Sequence, residues 1–230
     1  MLVERAPPPY YPEADVPPSK KTAVEGKSAK KTATASVVDV LIPPLRLQAI
    51  KLRIVGKSPL IQNRFSDKSR REMADRAAQK VRHKRAPKDP AAEFEAAIEY
   101  LPGSGNRKYA IKAAAFKKAA ISACRYVEGI PMSYAKGAFH VLGDFIELKV
   151  KGKPKMREDS VRIGNFGNKK ADLRYRPMFE RLECELPIEY NASAITAQQI
   201  AHILNVAGFA IGVGEWRPEK EGAFGLFRVV

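Results

Sequence analysis

The chain has 230 residues, of which 45% are hydrophobic and 29% are charged, with 41 Lys and Arg residues against 25 Asp and Glu residues. This length and apolar content predict one folded domain with a real core, which excludes a wholly disordered or fibrous chain. The formal net charge of +16 predicts an anionic partner, which is nucleic acid, a membrane surface or an acidic protein. We favour nucleic acid, because the sequence lacks the lone basic amphipathic helix of a membrane-surface protein.

Cysteine usage and the N-terminus favour a reducing compartment. Cys124 and Cys184 are isolated from each other and from any Cys/His cluster with zinc spacing. Residues 1–5 lack the basic-then-apolar order of a secretory signal, and no apolar run approaches the ~18 residues of a membrane span. We therefore expect no metal, no cofactor and no membrane, and a cytoplasmic location in a bacterium or a phage-infected host cell.

Residues 1–40 are rich in proline, lysine, alanine, serine and threonine. Such a segment buries too little apolar surface to offset the entropy lost on ordering. We predict a disordered basic tail, which either touches nucleic acid or is simply solvated. The folded domain is predicted to cover residues 41–230, with insertions near 64–108 and 151–176.

The first part of the domain predicts one strand and two helices. Residues 48–55 alternate between two faces. Ile50, Leu52 and Ile54 form an apolar face, and Lys51 and Arg53 form a basic open face. Ser66 or Asp67 is predicted to cap a helix that runs to about residue 82, with Met73, Ala77 and Val81 on its apolar side. A second, shorter helical pattern covers residues 91–100.

The middle of the chain predicts a strand over 108–111, an alanine-rich helix over 113–127 and strands over 139–150. Residues 151–176 are rich in charge and glycine. We expect them to form an extended hairpin or a mobile insertion that is too polar for the core.

The C-terminal part contains the clearest strand, residues 182–190, where apolar and charged side chains alternate. Thr196 and Gln199 predict a capping box for a helix that ends at Gly208, and a last strand is predicted over 224–230. The order strand, helix, strand, strand, helix, strand predicts an α+β, ferredoxin-like or modified RRM fold, with an antiparallel sheet, helices on one face and a hairpin insertion.

A glycine-rich stretch precedes the last strand, with Gly212, Gly214, Gly222 and Gly225 around Trp216. Glycines let the backbone adopt positive φ and approach another backbone closely. One interpretation is a loop that offers bare N–H groups to a phosphate, with an aromatic ring for stacking. The other is a β-hairpin with a glycine-rich turn.

Three segments of the domain resemble the RAMP superfamily, the repeat-associated proteins that form the crRNA-binding backbone of CRISPR effector complexes. Residues 54–60 are similar to that family's first strand and its Ser-Pro-Leu exit, and residues 110–119 to its helix entry, with Lys117 at the lysine position but without the family's proline and serines. The third segment is the glycine-rich stretch Gly212 to Gly225. The resemblance implies a modified RNA-recognition fold and a protein that can line up along a single strand.

The C-terminal stretch also resembles a group of uncharacterised phage-encoded proteins that end in Gly-x-Gly-Glu-Trp-Arg-Pro-x-Lys-x-Gly-x-Phe-Gly. Residues 212–225 reproduce that ending nearly completely. This resemblance implies a phage setting but no activity.

Few residues suggest catalysis. His83, His140 and His202 are not paired with one another by any pattern, whereas general acid–base catalysis needs partners within hydrogen-bond reach. Asp67 lies where some RAMP proteins keep a cleaving aspartate, but we favour a helix-capping role. Neighbouring Glu158 and Asp159, beside Arg157, are more typical of surface ion pairs than of a metal site. We expect no catalytic residues, no metal site and no enzyme.

Binding residues are better supplied, because cations that meet phosphates release counterions and aromatic rings stack on bases without reading sequence. The predicted nucleic-acid-binding residues are Lys51, Arg53, Lys57, Arg64, Lys112, Lys117, Arg125, Arg162, Arg174, Arg176, Trp216, Arg217 and Lys220. Tyr175 and Phe224 are further stacking candidates, although core packing is favoured for Phe224. We expect the cations and the glycine-rich turn to share one side of the sheet.

The sequence thus predicts a non-catalytic protein that binds single-stranded RNA or DNA largely independently of sequence. It is expected to form a homo-oligomer or filament along the strand, with residues 163–170 reaching a neighbour. Two alternatives stay open, a phage virion structural or assembly protein and a RAMP-type endoribonuclease that uses His140 or Asp67.

Overall fold

The computed structural model describes residues 44–78, 87–164 and 170–230. The predicted tail over residues 1–40 lies outside the described residues, as do His83 and most of the 163–170 segment. The predicted domain boundaries stay a prediction.

The described residues form fifteen named helices and strands in a mixed order. They are β1 (Leu47–Gly56), β2 (Leu60–Ile61), α1 (Asp67–Ala77), α2 (Pro90–Ala96), β3 (Ala110–Lys112), α3 (Ala113–Ala123), α4 (Met132–Ala138), β4 (Phe139–Val141), β5 (Phe145–Glu147), β6 (Lys149–Val150), β7 (Lys155–Ile163), β8 (Lys170–Phe179), β9 (Leu182–Asn191), α5 (Ala197–Ala210) and β10 (Phe227–Val229). Short 3-10 turns cover Cys124–Tyr126 and Pro218–Lys220.

The main sheet has the strand order β10-β1-β9-β4, and β6 pairs with β9 on the same side as β4. Every pairing in this sheet is antiparallel. In the chain, α3 lies between β1 and β4, and α5 lies between β9 and β10. This is the strand order of two interleaved β-α-β units, so the predicted α+β, ferredoxin-like class is confirmed.

The core lies between one face of this sheet and α3 and α5. In β9 the apolar side chains predicted to share a face are all buried, at Leu182, Cys184, Leu186, Ile188 and Tyr190. The capping box of α5 is present, since the Thr196 hydroxyl accepts from the Gln199 amide and the Gln199 side chain accepts from the Thr196 amide. The small side chains of α3 let it pack closely on α5.

Two smaller sheets flank the main one. β2, β8 and β7 form a three-stranded sheet, in which β7 and β8 are the predicted hairpin, and β3 pairs with β5. No described residue of the hairpin between 151 and 176 belongs to the hydrophobic core, but two of its charged side chains, Asp159 and Arg176, are buried. Gln62, which follows β2, links the two small sheets. Its Nε2 donates to Ala110 O in β3 at 2.7 Å, and its Oε1 accepts from Glu99 N at 3.1 Å.

Four predicted elements differ from those observed, one of them α5, which runs to Ala210 and so passes its predicted end at Gly208. In α1, Met73 is 57% exposed, so the predicted apolar side of this helix does not face the core. The alanine-rich helix ends at Ala123 and continues as a 3-10 turn. The last strand begins at Phe227, because Phe224 and Gly225 pack in the preceding loop.

Candidate nucleic-acid interface

The glycine loop, which we define as residues 212–225, is packed against itself and against the β1–β2 connection. The amides of Val213 and Phe224 donate within the loop, to Gly225 O at 3.0 Å and to Trp216 O at 3.0 Å. The amides of Glu215 and Gly225 donate outside it, to Ile61 O at 2.9 Å and to Pro59 O at 2.8 Å. The interpretation of bare N–H groups for a phosphate therefore fails for these amides, and no strand pairing within the described loop supports the hairpin interpretation.

The loop glycines permit close contacts between backbone segments. A Cβ atom at Gly222 would lie 1.8 Å from Trp216 O, and one at Gly225 would lie 1.8 Å from Val213 O. A Cβ atom at Gly214 would lie 2.5 Å from Ile61 O. The close contacts at these three positions therefore show that the glycines set the shape of the loop.

Trp216 is held at the surface by an unusual backbone conformation. Its φ is 52°, in the left-handed region that bulky residues rarely adopt. Such conformations persist only where the surroundings enforce them, and they cluster at functional sites. Here Gly222 packs on the Trp216 carbonyl and Phe224 donates to it, while the tryptophan remains 38% exposed.

Two arginines meet at Glu219 beside this tryptophan. Arg217 donates from Nε at 3.1 Å and from Nη2 at 2.8 Å to Glu219 Oε2. Arg125, which comes from the turn after α3, approaches Glu219 Oε1 with its Nη2 at 3.4 Å. Lys220 follows Glu219 in the chain and is exposed. The structure thus brings two predicted residues, Arg125 and Arg217, together at Glu219, and the predicted residues Trp216 and Lys220 lie in the same short segment of the loop as Arg217 and Glu219.

The hairpin reaches the glycine loop through Arg157, a residue that the sequence did not single out for binding. Its guanidinium carbon lies 4.5 Å from the centroid of the Phe224 ring, within cation–π range. Its Nε donates to Asp159 at 2.8 Å. Only the contact between the hairpin and the loop reveals its position, and sequence spacing carries no signal for such a contact.

The other hairpin arginines are divided between ion pairs and solvent. Arg176 is buried with its Nη1 at 3.6 Å from Asp159, and Arg174 Nε lies 3.1 Å from Asp172. Arg162 is exposed. Arg176 therefore belongs to the interior of the hairpin and cannot reach a phosphate without leaving its site, which corrects its predicted placement at a binding surface.

The open face of the main sheet carries both signs of charge. Arg53 donates to Glu183 at 2.8 Å, and Lys149 donates to Glu185 at 2.9 Å. The bond from Lys149 lowers the pKa of the Glu185 carboxyl. Lys51 is exposed on the same face of β1. The basic face that β1 alone predicted is therefore wrong for the assembled sheet, because β9 places glutamates between its cations.

Lys117 does not lie on an open surface. Its ammonium donates to Ala135 O at 2.9 Å and to Phe139 O, and it lies 3.7 Å from the centroid of the Phe139 ring. Burial lowers the pKa of Lys117 to about 8. The predicted phosphate contact is therefore corrected: Lys117 ties α3 to the end of α4.

Lys117→Met is expected to lower the free energy of unfolding by about 1–2 kcal/mol, because it removes two hydrogen bonds from a charged donor. Affinity for single strands should stay within about twofold of wild type. Thermal melting and oligonucleotide titration would measure the two quantities. Lys118→Met is the matched control, since Lys118 is exposed on the same helix and should change neither. Weaker binding by Lys117→Met at unchanged stability would contradict the structural role.

The remaining predicted binding residues are dispersed. Arg64 pairs with Asp67 at 3.3 Å and approaches Glu99 at 3.7 Å. Lys57 is exposed after β1, where its amide donates to Leu226 O at 2.8 Å. Lys112 is exposed at the end of β3. Only Lys57 among these is joined to the glycine loop region by a contact that the structure describes.

The candidate catalytic residues are separate from one another. His140 is exposed on β4 opposite Glu189, and His202 is exposed on α5, where it lines an open pocket of about 600 Å³ with Tyr126 and Thr196. Asp67 is the first residue of α1 and pairs with Arg64. Among the described residues no group of three or more His, Cys, Asp or Glu side chains is arranged to hold a metal ion.

No protein-family model and no curated protein matches this sequence significantly. Among solved structures, the crystal structure of Cmr6 from Pyrococcus furiosus is similar over 81% of this chain and 100% of that chain, with 12% sequence identity and a TM-score of 0.43. At this identity and TM-score, the likeness says nothing about what this chain binds. Over the described ranges, no helix combines the length and the apolarity that crossing a bilayer requires.

Proposed function

We propose that this protein binds single-stranded nucleic acid without cleaving it, through the surface of the glycine loop. The observation that carries the proposal is the exposed Trp216 in a left-handed backbone conformation, directly before Arg217 in the chain, whose guanidinium shares Glu219 with that of Arg125. An indole at the surface can stack on any base, and cations next to it can hold the phosphates on either side.

The charge of the whole chain supports the same proposal. The net charge of +16 favours association with a polyanion, and part of the cations remain outside ion pairs. Among the described side chains, Lys57, Lys112, Arg162 and Lys220 are exposed and lie in no ion pair. Contacts of this kind position a strand by its backbone and carry no sequence information.

The proposal includes kinship with the RAMP superfamily and assembly of several copies along one strand. The strand order of the main sheet and the glycine loop directly before its last strand support the kinship. Copy number along a long strand, measured by mass photometry or analytical ultracentrifugation, tests the assembly. A single copy on a strand that offers several sites would overturn it.

The central experiment titrates fluorescent single-stranded RNA, single-stranded DNA and duplex DNA with the full chain at about 50 mM and 200 mM salt. We expect tighter binding to both single strands than to duplex, with a large loss of affinity at the higher salt. Equal, weak binding to all three would contradict the proposal, and so would cleavage of the RNA. Cleavage that Asp67→Ala or His140→Ala abolishes would support an endoribonuclease instead.

Trp216→Ala is expected to weaken single-strand binding by about 1–3 kcal/mol, the range measured when a base loses an aromatic partner. The same titration gives the result. Phe65→Ala is the matched control, because Phe65 is 47% exposed, similar to the 38% of Trp216, but lies outside the glycine loop. Equal effects of the two substitutions would show that the indole is not a stacking platform.

A further inference from the structure

The arginines beside Trp216 hold a carboxylate of the protein itself. Glu219 Oε2 accepts two bonds from Arg217, and Glu219 Oε1 faces Arg125 from the end of α3. The two arginines come from segments far apart in the chain, so the fold and not local sequence brings them to one anion. An arginine fork recognises carboxylate and phosphate with the same bidentate geometry.

Both guanidinium groups are oriented by backbone carbonyls before any ligand arrives. Arg217 Nη1 donates to Gly214 O at 3.1 Å, and Arg125 Nε donates to Ser122 O at 3.2 Å. Arg217 Nε and Nη2 and Arg125 Nη2 point to the same carboxylate. An anion that replaced Glu219 would therefore meet donors that are already ordered, which reduces the entropy cost of binding.

The pair is accessible, so the carboxylate can be exchanged. The exposed fractions are 52% for the Arg125 side chain, 30% for Arg217 and 27% for Glu219. Surface ion pairs of this kind contribute little net stability, so breaking them costs little. The Glu219 backbone is fixed separately, because its amide donates to Ile211 O at 3.2 Å. Only the side chain has to rotate for the site to open.

We propose that Arg125 and Arg217 form a phosphate-binding site that the Glu219 carboxylate occupies in the free protein, and that a backbone phosphate of the nucleic acid displaces it. The inference deepens the proposed function and rests on it for the identity of the ligand. In this proposal the base that adjoins the phosphate stacks on the indole of Trp216, which directly precedes Arg217 in the chain. Glu219 thereby sets a minimum affinity for the ligand, since only a polyanion that makes several contacts competes with a tethered carboxylate.

The test is Glu219→Gln, compared with Glu221→Gln. Both substitutions remove one negative charge from the same loop, but among the described contacts Glu221 faces no arginine. We expect Glu219→Gln to bind a single-stranded oligonucleotide about fivefold more tightly than Glu221→Gln, because only the former frees the two arginines. Adding Arg217→Ala to Glu219→Gln should remove this gain.

A second measurement needs no nucleic acid. Inorganic phosphate should raise the melting temperature of Glu219→Gln more than that of Glu221→Gln, because a vacant site binds the anion in the folded state alone. Glu219→Gln that binds strands no better than Glu221→Gln overturns this inference while the proposed function stands. A wild-type chain that binds no strand overturns the proposed function, and the phosphate melting comparison then decides the site on its own.

Discussion

Gly225→Ala is expected to lower the free energy of unfolding by more than about 3 kcal/mol, at the upper end of what overpacking costs. The new Cβ would lie 1.8 Å from Val213 O, a backbone atom that cannot rotate away. Gly225 also has a φ of 70°, which disfavours any residue with a side chain.

The damage should extend beyond the loop. The Gly225 amide donates to Pro59 O, and the next residue, Leu226, accepts from the Lys57 amide, so this segment closes the β1–β2 connection. Denaturant unfolding followed by circular dichroism would measure the loss. Gly137→Ala is the matched control, because it lies in α4 with nothing within 4 Å of the new Cβ and should be neutral or stabilising. Similar stability of the two variants would contradict the packing account of the loop.

Asp159→Ala is expected to cost about 3–5 kcal/mol of folding stability, because it leaves a charge buried without its partner. The Arg176 side chain is only 10% exposed and faces Asp159 Oδ2 at 3.6 Å, and the Nε of Arg176 has no hydrogen-bond partner among the described residues. Removal of the carboxylate leaves that guanidinium inside the hairpin with nothing to neutralise it. Chemical denaturation gives the magnitude.

Two comparisons separate this effect from the loss of an ordinary ion pair. Glu180→Ala breaks the exposed pair with Lys155 in the same sheet region and should cost less than about 1 kcal/mol. The double variant Asp159→Leu with Arg176→Met replaces the buried pair by apolar groups and should recover most of the lost stability. If Asp159→Ala costs no more than Glu180→Ala, the buried pair is not the reason for its effect.

Much of the fold could be predicted because side-chain alternation and capping are local signals. β9 shows this well, since one face of its alternating pattern is buried from Leu182 to Tyr190. Thr196 and Gln199 likewise form the capping box that their spacing predicts. The order of such elements then defines the ferredoxin-like class without knowledge of any distant contact.

The candidate site was harder to predict because its geometry depends on contacts between distant segments. Lys117 lies on a helix and is expected from the sequence to meet a phosphate, yet the turn from α4 into β4 places carbonyls around its ammonium. The glycine loop has the composition of a phosphate cradle, yet several of its amides donate to backbone carbonyls, of Pro59, of Ile61 and of the loop itself. In both cases a segment distant in the sequence decides what Lys117 or the loop can contact.

The charge of the open sheet face also depends on contacts between distant segments. Lys51 and Arg53 give β1 a basic face when the strand is considered alone. The pairing of β1 with β9 sets Arg53 beside glutamates, with Arg53 opposite Glu185 in register and bonded to Glu183. Net charge predicts an anionic partner, but the register of two strands decides which surface is left for one.

β1 pairs with β9 and β10, which are both synthesised long after it. Ile54 pairs with Cys184 on one side and with Val229 on the other, and the glycine loop seals the end of the strand. On the ribosome, β1 therefore emerges early and keeps its apolar side chains uncovered while most of the domain is synthesised. In a nascent chain halted before the glycine loop, β10 is absent and one edge of β1 is open, so we expect such a chain to pair with other chains more readily than the complete domain does.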